Sequence, residues 1–90
     1  MIKLMNIAGE IKLKDTLITS LFFDLPKDNY SNIIKKLLYL NYFPKFDFQI
    51  KIKKIKKRFK KLIIYFEVIY PQGIGYYKLE IQKNIKKQLK

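Results

Sequence analysis

The stretch Asn29-Tyr30-Ser31-Asn32-Ile33-Ile34-Lys35-Lys36-Leu37-Leu38-Tyr39-Leu40-Asn41-Tyr42-Phe43-Pro44-Lys45-Phe46-Asp47-Phe48-Gln49-Ile50-Lys51-Ile52 changes its apolar period near Pro44. In its first part Ile33, Ile34, Leu37, Leu38 and Asn41 recur at helical spacing, which puts four aliphatic side chains on one face while Lys35, Lys36 and Tyr39 point elsewhere. Asp28 or Asn29 stands where it can cap the free backbone donors of the first turn, and Pro44 stands where it ends the helix. From Phe46 the period is two. Phe46, Phe48, Ile50 and Ile52 alternate with Asp47, Gln49, Lys51 and Lys53, the pattern of a half-buried strand with a wet, mostly basic face.

Residues 62–70 read as the next strand, so the two are expected to pair antiparallel. Between them the alternation slips at Lys53 and Lys54, and residues 54–61 are nearly all cationic; a twisted hairpin with an exposed loop is the expectation. Pro71, Gln72, Gly73, Ile74 and Gly75 read as a turn, because proline presets one dihedral and glycine reaches positive ones at little cost. Tyr77, Leu79 and Ile81 then alternate with Lys78, Glu80 and Gln82 as a further strand. Upstream the pattern is divided. Leu17, Ile18, Leu21 and Phe22 suit a short helix, whereas Ile11, Leu13 and the β-branched residues within 16–19 suit a strand. A strand through residues 21–25 is the reading adopted, since one helix needs a sheet face wide enough to cover it. The expected architecture is one α+β domain over residues 1–82, with one main helix packed on a small three- to four-stranded antiparallel or mixed sheet and a basic tail or helix end at 83–90.

Ninety residues leave no room for a second domain; a chain of this size buries only about 60 to 65% of its unfolded surface. With 49% hydrophobic and 30% charged residues it has enough apolar material to fold. Neither cysteine nor histidine occurs, which excludes disulfides, thiolate nucleophiles, imidazole bases and the zinc sites built from those ligands. The carboxylates Glu10, Asp15, Asp24, Asp28, Asp47, Glu67 and Glu80 show no pairing at catalytic or metal-binding spacing. Catalysis, a cofactor and a small-molecule substrate are therefore not expected. The longest stretch free of charge, residues 68–77, is broken by Pro71, Gly73 and Gly75, so no membrane span is expected. Glu10 and Lys12 interrupt any apolar run after the start, so no cleavable signal peptide is expected either.

The net charge is +13, which points to a polyanionic partner. AT-rich codons account for the preference for lysine over the single Arg58, but not for the shortage of glutamate, whose codons also tolerate AT richness. Residues 1–30 are neutral, since Lys3, Lys12, Lys14 and Lys27 balance Glu10, Asp15, Asp24 and Asp28, and residues 31–90 carry the whole excess. The densest segment, 45–61, holds nine basic residues against Asp47. Lys51, Lys53, Lys54, Lys56, Lys57, Arg58, Lys60 and Lys61, with Phe59 among them to stack on a base or wedge into a groove, are the expected RNA-binding set. Lys83, Lys86 and Lys87, with Lys90 after them, form a second cluster, and the first three are counted in the expected RNA-binding set; anchoring to anionic lipid and a merely solvated end are the alternatives for it. The competing reading is a solvated loop with Ile55 and Phe59 folded back on the core. The remaining aromatics, among them Phe46, Phe48, Tyr65, Phe66, Tyr76 and Tyr77, read as core. Gly73-Ile74-Gly75 lacks the third glycine and following helix of a dinucleotide site and reads as a turn.

Phe23-Asp24-Leu25-Pro26, the helix closing on Leu38-Tyr39-Leu40-Asn41-Tyr42-Phe43, Pro44-Lys45-Phe46-Asp47-Phe48 and residues 62–70 together resemble the N-terminal half of the small-subunit ribosomal protein eight family. That half reads as a short strand ending in a hydrophobic-Pro pair, a Lys-rich helix closing on "LxxxGYI", a "KDFE" strand, a charged loop and an "LxIxLKY" strand. Met5-Asn6-Ile7-Ala8-Gly9 is faintly similar to the family's first helix. The family's C-terminal domain, with its Ser-Lys-Pro-Gly turn and Ser/Thr-rich loop for ribosomal RNA, has no counterpart in these residues. The resemblance implies a truncated or divergent ribosomal protein of an organelle, such as the mitochondrion, or of an AT-rich reduced genome. It would bind ribosomal RNA through the region 51–61 and touch neighbouring ribosomal proteins. The alternative is a small phage- or plasmid-encoded protein that binds or inhibits a host protein at an acidic or nucleic-acid-binding surface. A peripheral membrane role is disfavoured, because the main helix offers only Lys35 and Lys36 to a lipid surface.

Overall fold

The computed structural model describes residues 2–41 and 47–83. Its strands are β1 (Ile2–Asn6), β2 (Gly9–Ile11), β3 (Gln49–Arg58), β4 (Lys61–Tyr70) and β5 (Gly73–Gln82); its α-helices are α1 (Leu21–Asp24) and α2 (Tyr30–Leu40), with 3₁₀ turns at Leu17–Ser20 and Lys27–Asn29. The fold is α+β, as the change of period requires. The sheet is wider than the three to four strands expected: five strands run in the order β2-β1-β5-β4-β3, every neighbouring pair antiparallel. The extra width comes from the β1–β2 hairpin, whose turn ends at Gly9 with φ +131, a backbone that favours glycine. The faint helix implied at residues 5–9 is thus strand and turn.

The core lies on one face of this sheet. Leu4, Leu62, Ile64, Phe66, Val68, Leu79 and Ile81 rise from the strands, and Ile33, Ile34, Leu37 and Leu38 of α2 descend on them, all buried. Truncating one such leucine to alanine costs about 2–5 kcal/mol. Asn29 occupies the N-cap position of α2 but makes no capping hydrogen bond through its side chain, and Asp28 lies within the preceding 3₁₀ turn. The helix ends at Leu40 with Asn41 as its C-cap, directly before the segment 42–46, so Pro44 and Phe46 lie outside the described residues.

Residues 21–24 are helical rather than extended. Leu17, Leu21 and Leu25 are exposed at intervals of four while Phe22 is 1% exposed, a helical rather than a two-fold alternation. The Phe22 ring meets the Tyr30 ring edge-on at 5.2 Å, and its carbonyl accepts the Tyr30 hydroxyl at 2.8 Å. The short strand that the ribosomal resemblance implies at residues 23–26 is therefore not formed.

The loop expected at 54–61 is also corrected. β3 continues to Arg58, and only Phe59 and Lys60 turn. The slip at Lys53 is a β-bulge: Ile52 opposes Phe66 and Lys54 opposes Tyr65, leaving one residue over. That extra residue resets the phase, so Ile55 joins Ile50 and Ile52 over the core. Like charge does not open the strand, because its side chains fan out on both sides of a sheet edge into water. The turn after β4 is likewise shorter than expected, Pro71 and Gln72 alone.

Candidate nucleic-acid interface

Register fixes what the helix-free face carries. Since Leu62, Ile64, Phe66 and Val68 are buried beneath α2, the alternate residues Lys61, Ile63, Tyr65 and Glu67 face away. Pairing then places Lys51 beside Glu67, Lys54 beside Tyr65, Lys56 beside Ile63 and Arg58 beside Lys61 on that same open face. On the other side of β4, Lys78 stands beside Tyr65 and Glu80 beside Ile63, and β1 adds Lys3 beside Glu80 and Met5 beside Lys78. One face, spanning four strands, thus collects cations from residues far apart in the chain.

Its acids are largely neutralised. Glu80 accepts from Lys61 at 2.5 Å, and this hydrogen bond, with the charges of Lys61, Lys78 and Lys3, holds its carboxyl below the usual range despite partial burial. Glu67 pairs with Lys53 at 3.8 Å, the bulged residue reaching round to the open face. Lys51, Lys54 and Arg58 are exposed, and Lys56 is half-buried against Tyr65.

The remaining members of the expected set divide. Lys57 opposes the buried Leu62 and so projects on the opposite side, near the hairpin tip. Phe59 is 90% exposed at that tip, with the Lys60 ammonium 5.3 Å from its ring centre; it is not folded back on the core. Lys83 donates its backbone N–H to the Lys60 carbonyl at 2.8 Å, which brings the start of the second basic cluster beside the hairpin turn. Lys86 and Lys87 lie outside the described residues.

Two residues read as core belong instead to the open face. Tyr76 is 61% exposed, and Tyr65 stands between the ammonium groups of Lys56 and Lys78, 5.8 and 5.9 Å from its ring centre. The sequence held the signal: Tyr76 and Tyr77 are adjacent in one strand, so they cannot both face inward. Phe48, Phe66 and the half-buried Tyr77 do pack toward the helix. Among the described residues no three acidic side chains gather as a metal site, and no helix is long and apolar enough to cross a membrane. Family models, curated proteins and solved structures were all compared with the chain, and none matches it.

Proposed function

We propose that this protein is a small structural RNA-binding protein that neutralises backbone phosphates with the cations of its helix-free sheet face and hairpin tip. The observation that carries the reading is the alignment of Lys51, Lys54, Lys56 and Arg58 along one edge strand, continued by Lys61 and Lys78 across the sheet, on a face whose inner carboxylates are already paired. Binding by such a surface is driven by release of counterions, so affinity falls steeply with salt. The proposed setting is a ribosome, organellar or of a reduced genome, a setting supported by the likeness of helix 30–40 and the strands after it to the ribosomal protein eight pattern.

A log-log salt titration of RNA binding tests the phosphate reading. Replacing Lys54, Lys56, Lys57 and Lys60 with Gln is expected to flatten the slope by about 0.7 to 0.9 for each phosphate that is no longer neutralised. An unchanged slope would count against this surface. Sedimentation of source lysate at about 0.3 to 0.5 M salt, where non-specific polycation binding is screened, tests the setting. Co-migration with a ribosomal subunit, abolished by ribonuclease, is expected; migration at the top of an untreated gradient would remove the ribosome from the proposal.

A further inference from the structure

Phosphate neutralisation gives no work to Tyr65 and Tyr76, two rings that the open face carries among its cations. Cross-strand pairing sets Tyr65 opposite Lys78 and Tyr76 opposite Glu67, which makes the two tyrosines diagonal neighbours on one face, within reach of the same ligand. Beside them, up to the β1–β2 turn, runs a shallow open groove of about 380 Å³, lined by Met5, Asn6, Ile7, Tyr65, Tyr76 and Lys78. Ile7 is 94% exposed at its rim. The walls are flat or soft and apolar; the flanks are ammonium groups.

That combination suits a flat aromatic group joined to an anion. A nucleobase with its phosphate has this chemistry, and stacking on aromatic rings beside a cationic track is how unpaired strands are held. A duplex offers the same phosphates but keeps its base faces stacked within the helix, so it cannot use the tyrosines. We infer that the helix-free face binds unpaired RNA, with one base stacked on Tyr76 in this groove, a neighbouring base against Tyr65, and the connecting phosphates on Lys78, Lys56 and Lys54. The inference rests on the reading that RNA is the ligand. The two lysines beside Tyr65 serve both states: in the free protein they solvate the ring face as cation–π partners, and on binding they swing to the phosphates as the base arrives.

The test compares an oligouridylate of about a dozen nucleotides with an RNA duplex of equal phosphate number, using the full chain and its Tyr76→Leu, Tyr65→Leu and Tyr76→Phe variants. The single strand is expected to bind at least about tenfold tighter than the duplex. Tyr76→Leu is expected to weaken the single strand by about 5- to 150-fold, the range for loss of one stacked base, while leaving duplex affinity and the salt slope unchanged; Tyr76→Phe stays within about twofold. Fluorescence of a 2-aminopurine placed in the oligonucleotide is expected to be quenched on binding the unaltered protein, an assay that needs no variant. Equal affinity for the two RNAs, no quenching, or a Tyr76→Leu loss shared by both RNAs overturns the stacking site. If duplex binding and its lysine-dependent slope persist while stacking fails, phosphate binding stands; if neither RNA binds, that broader reading fails.

Discussion

Asn41 and Asp15 exchange two hydrogen bonds: the Asn41 Oδ1 accepts the Asp15 backbone N–H at 2.8 Å, and the Asn41 Nδ2 donates to the Asp15 carbonyl at 2.7 Å. The same amide also accepts the Lys14 N–H and donates to the Leu37 carbonyl in the last turn of α2. A single side chain, 2% exposed, thus closes the helix and fixes the segment that leads from β2 to α1. Asn41→Leu keeps the volume and removes every one of these bonds, leaving backbone groups unpaired at a buried site. A stability loss of about 2–4 kcal/mol is expected, read as a lower urea midpoint with an unchanged slope. A loss under about 0.5 kcal/mol would show that water replaces the amide.

Gly75 makes room for Tyr77. A Cβ at position 75 would lie 2.8 Å from the Tyr77 ring, which stacks on Phe66 with centroids 5.6 Å apart. Gly75→Ala is expected to push the ring aside and destabilise the fold by about 1–2 kcal/mol. In a Tyr77→Leu background the same change is expected to cost far less, so a double-mutant cycle reads the clash directly.

Tyr70 carries an alkaline limit to stability. Burial, and then its hydrogen bond with Tyr77, push its hydroxyl from the ordinary value of 10.0 up to about 12. The folded state therefore keeps the proton that the unfolded chain gives up first. The resulting stability is complete below pH 10.0 and is lost as pH rises through about 12. Tyr70→Phe is expected to flatten the decline of stability across that window in thermal melts at stepped pH.

Glu80 acts at the other end of the scale. Its carboxyl is held low, first by the Lys61 hydrogen bond, so its contribution is present above the usual glutamate range and fades as pH falls through and below it. Glu80→Gln is expected to remove part of the acid dependence. It also leaves Lys61, Lys3 and Lys78 without their shared counter-charge, so RNA affinity at neutral pH is expected to rise, as a salt titration would register.

The β3 bulge is a further point of test. Deleting Lys53 removes the spare residue and leaves Ile50, Ile52 and Ile55 in plain alternation, all three still on the core face. The deletion is therefore expected to change stability by less than about 1 kcal/mol in a urea titration, as is Lys53→Gln, which keeps the residue and discards only its ion pair with Glu67; a larger loss on deletion alone would show that the fold needs the bend of the bulge itself.

The helix on its sheet is legible in the sequence because Ile33, Ile34, Leu37 and Leu38 repeat over two turns and Phe48, Ile50 and Ile52 alternate without interruption. The bulge is visible as a slip at Lys53, but its meaning lies in the partner strand: only the register against Phe66 and Tyr65 shows that one residue is spare and that pairing resumes. The first hairpin is hidden because β2 is three residues long, and the pairing of β1 with β5 is set by residues at the far end of the sheet. Residues 21–25 mislead because a single helical turn carries too few positions to declare a period. At the interface, composition names the cations as residues but wrongly as a loop, while Tyr65 and Tyr76 are masked by the expectation that aromatics fill cores.

The pairing of β1 with β5 joins the two ends of the described chain across one seam of the sheet. β3, β4 and β5 form a meander whose pairings are local in the chain, whereas Leu4 must wait for Leu79. Until then β1 has only the short β2 beside it, and an isolated two-stranded hairpin is marginal in water. The seam between the first and last strands is therefore expected to close late, and weakening it at Leu4 is expected to accelerate unfolding while leaving the folding rate nearly untouched.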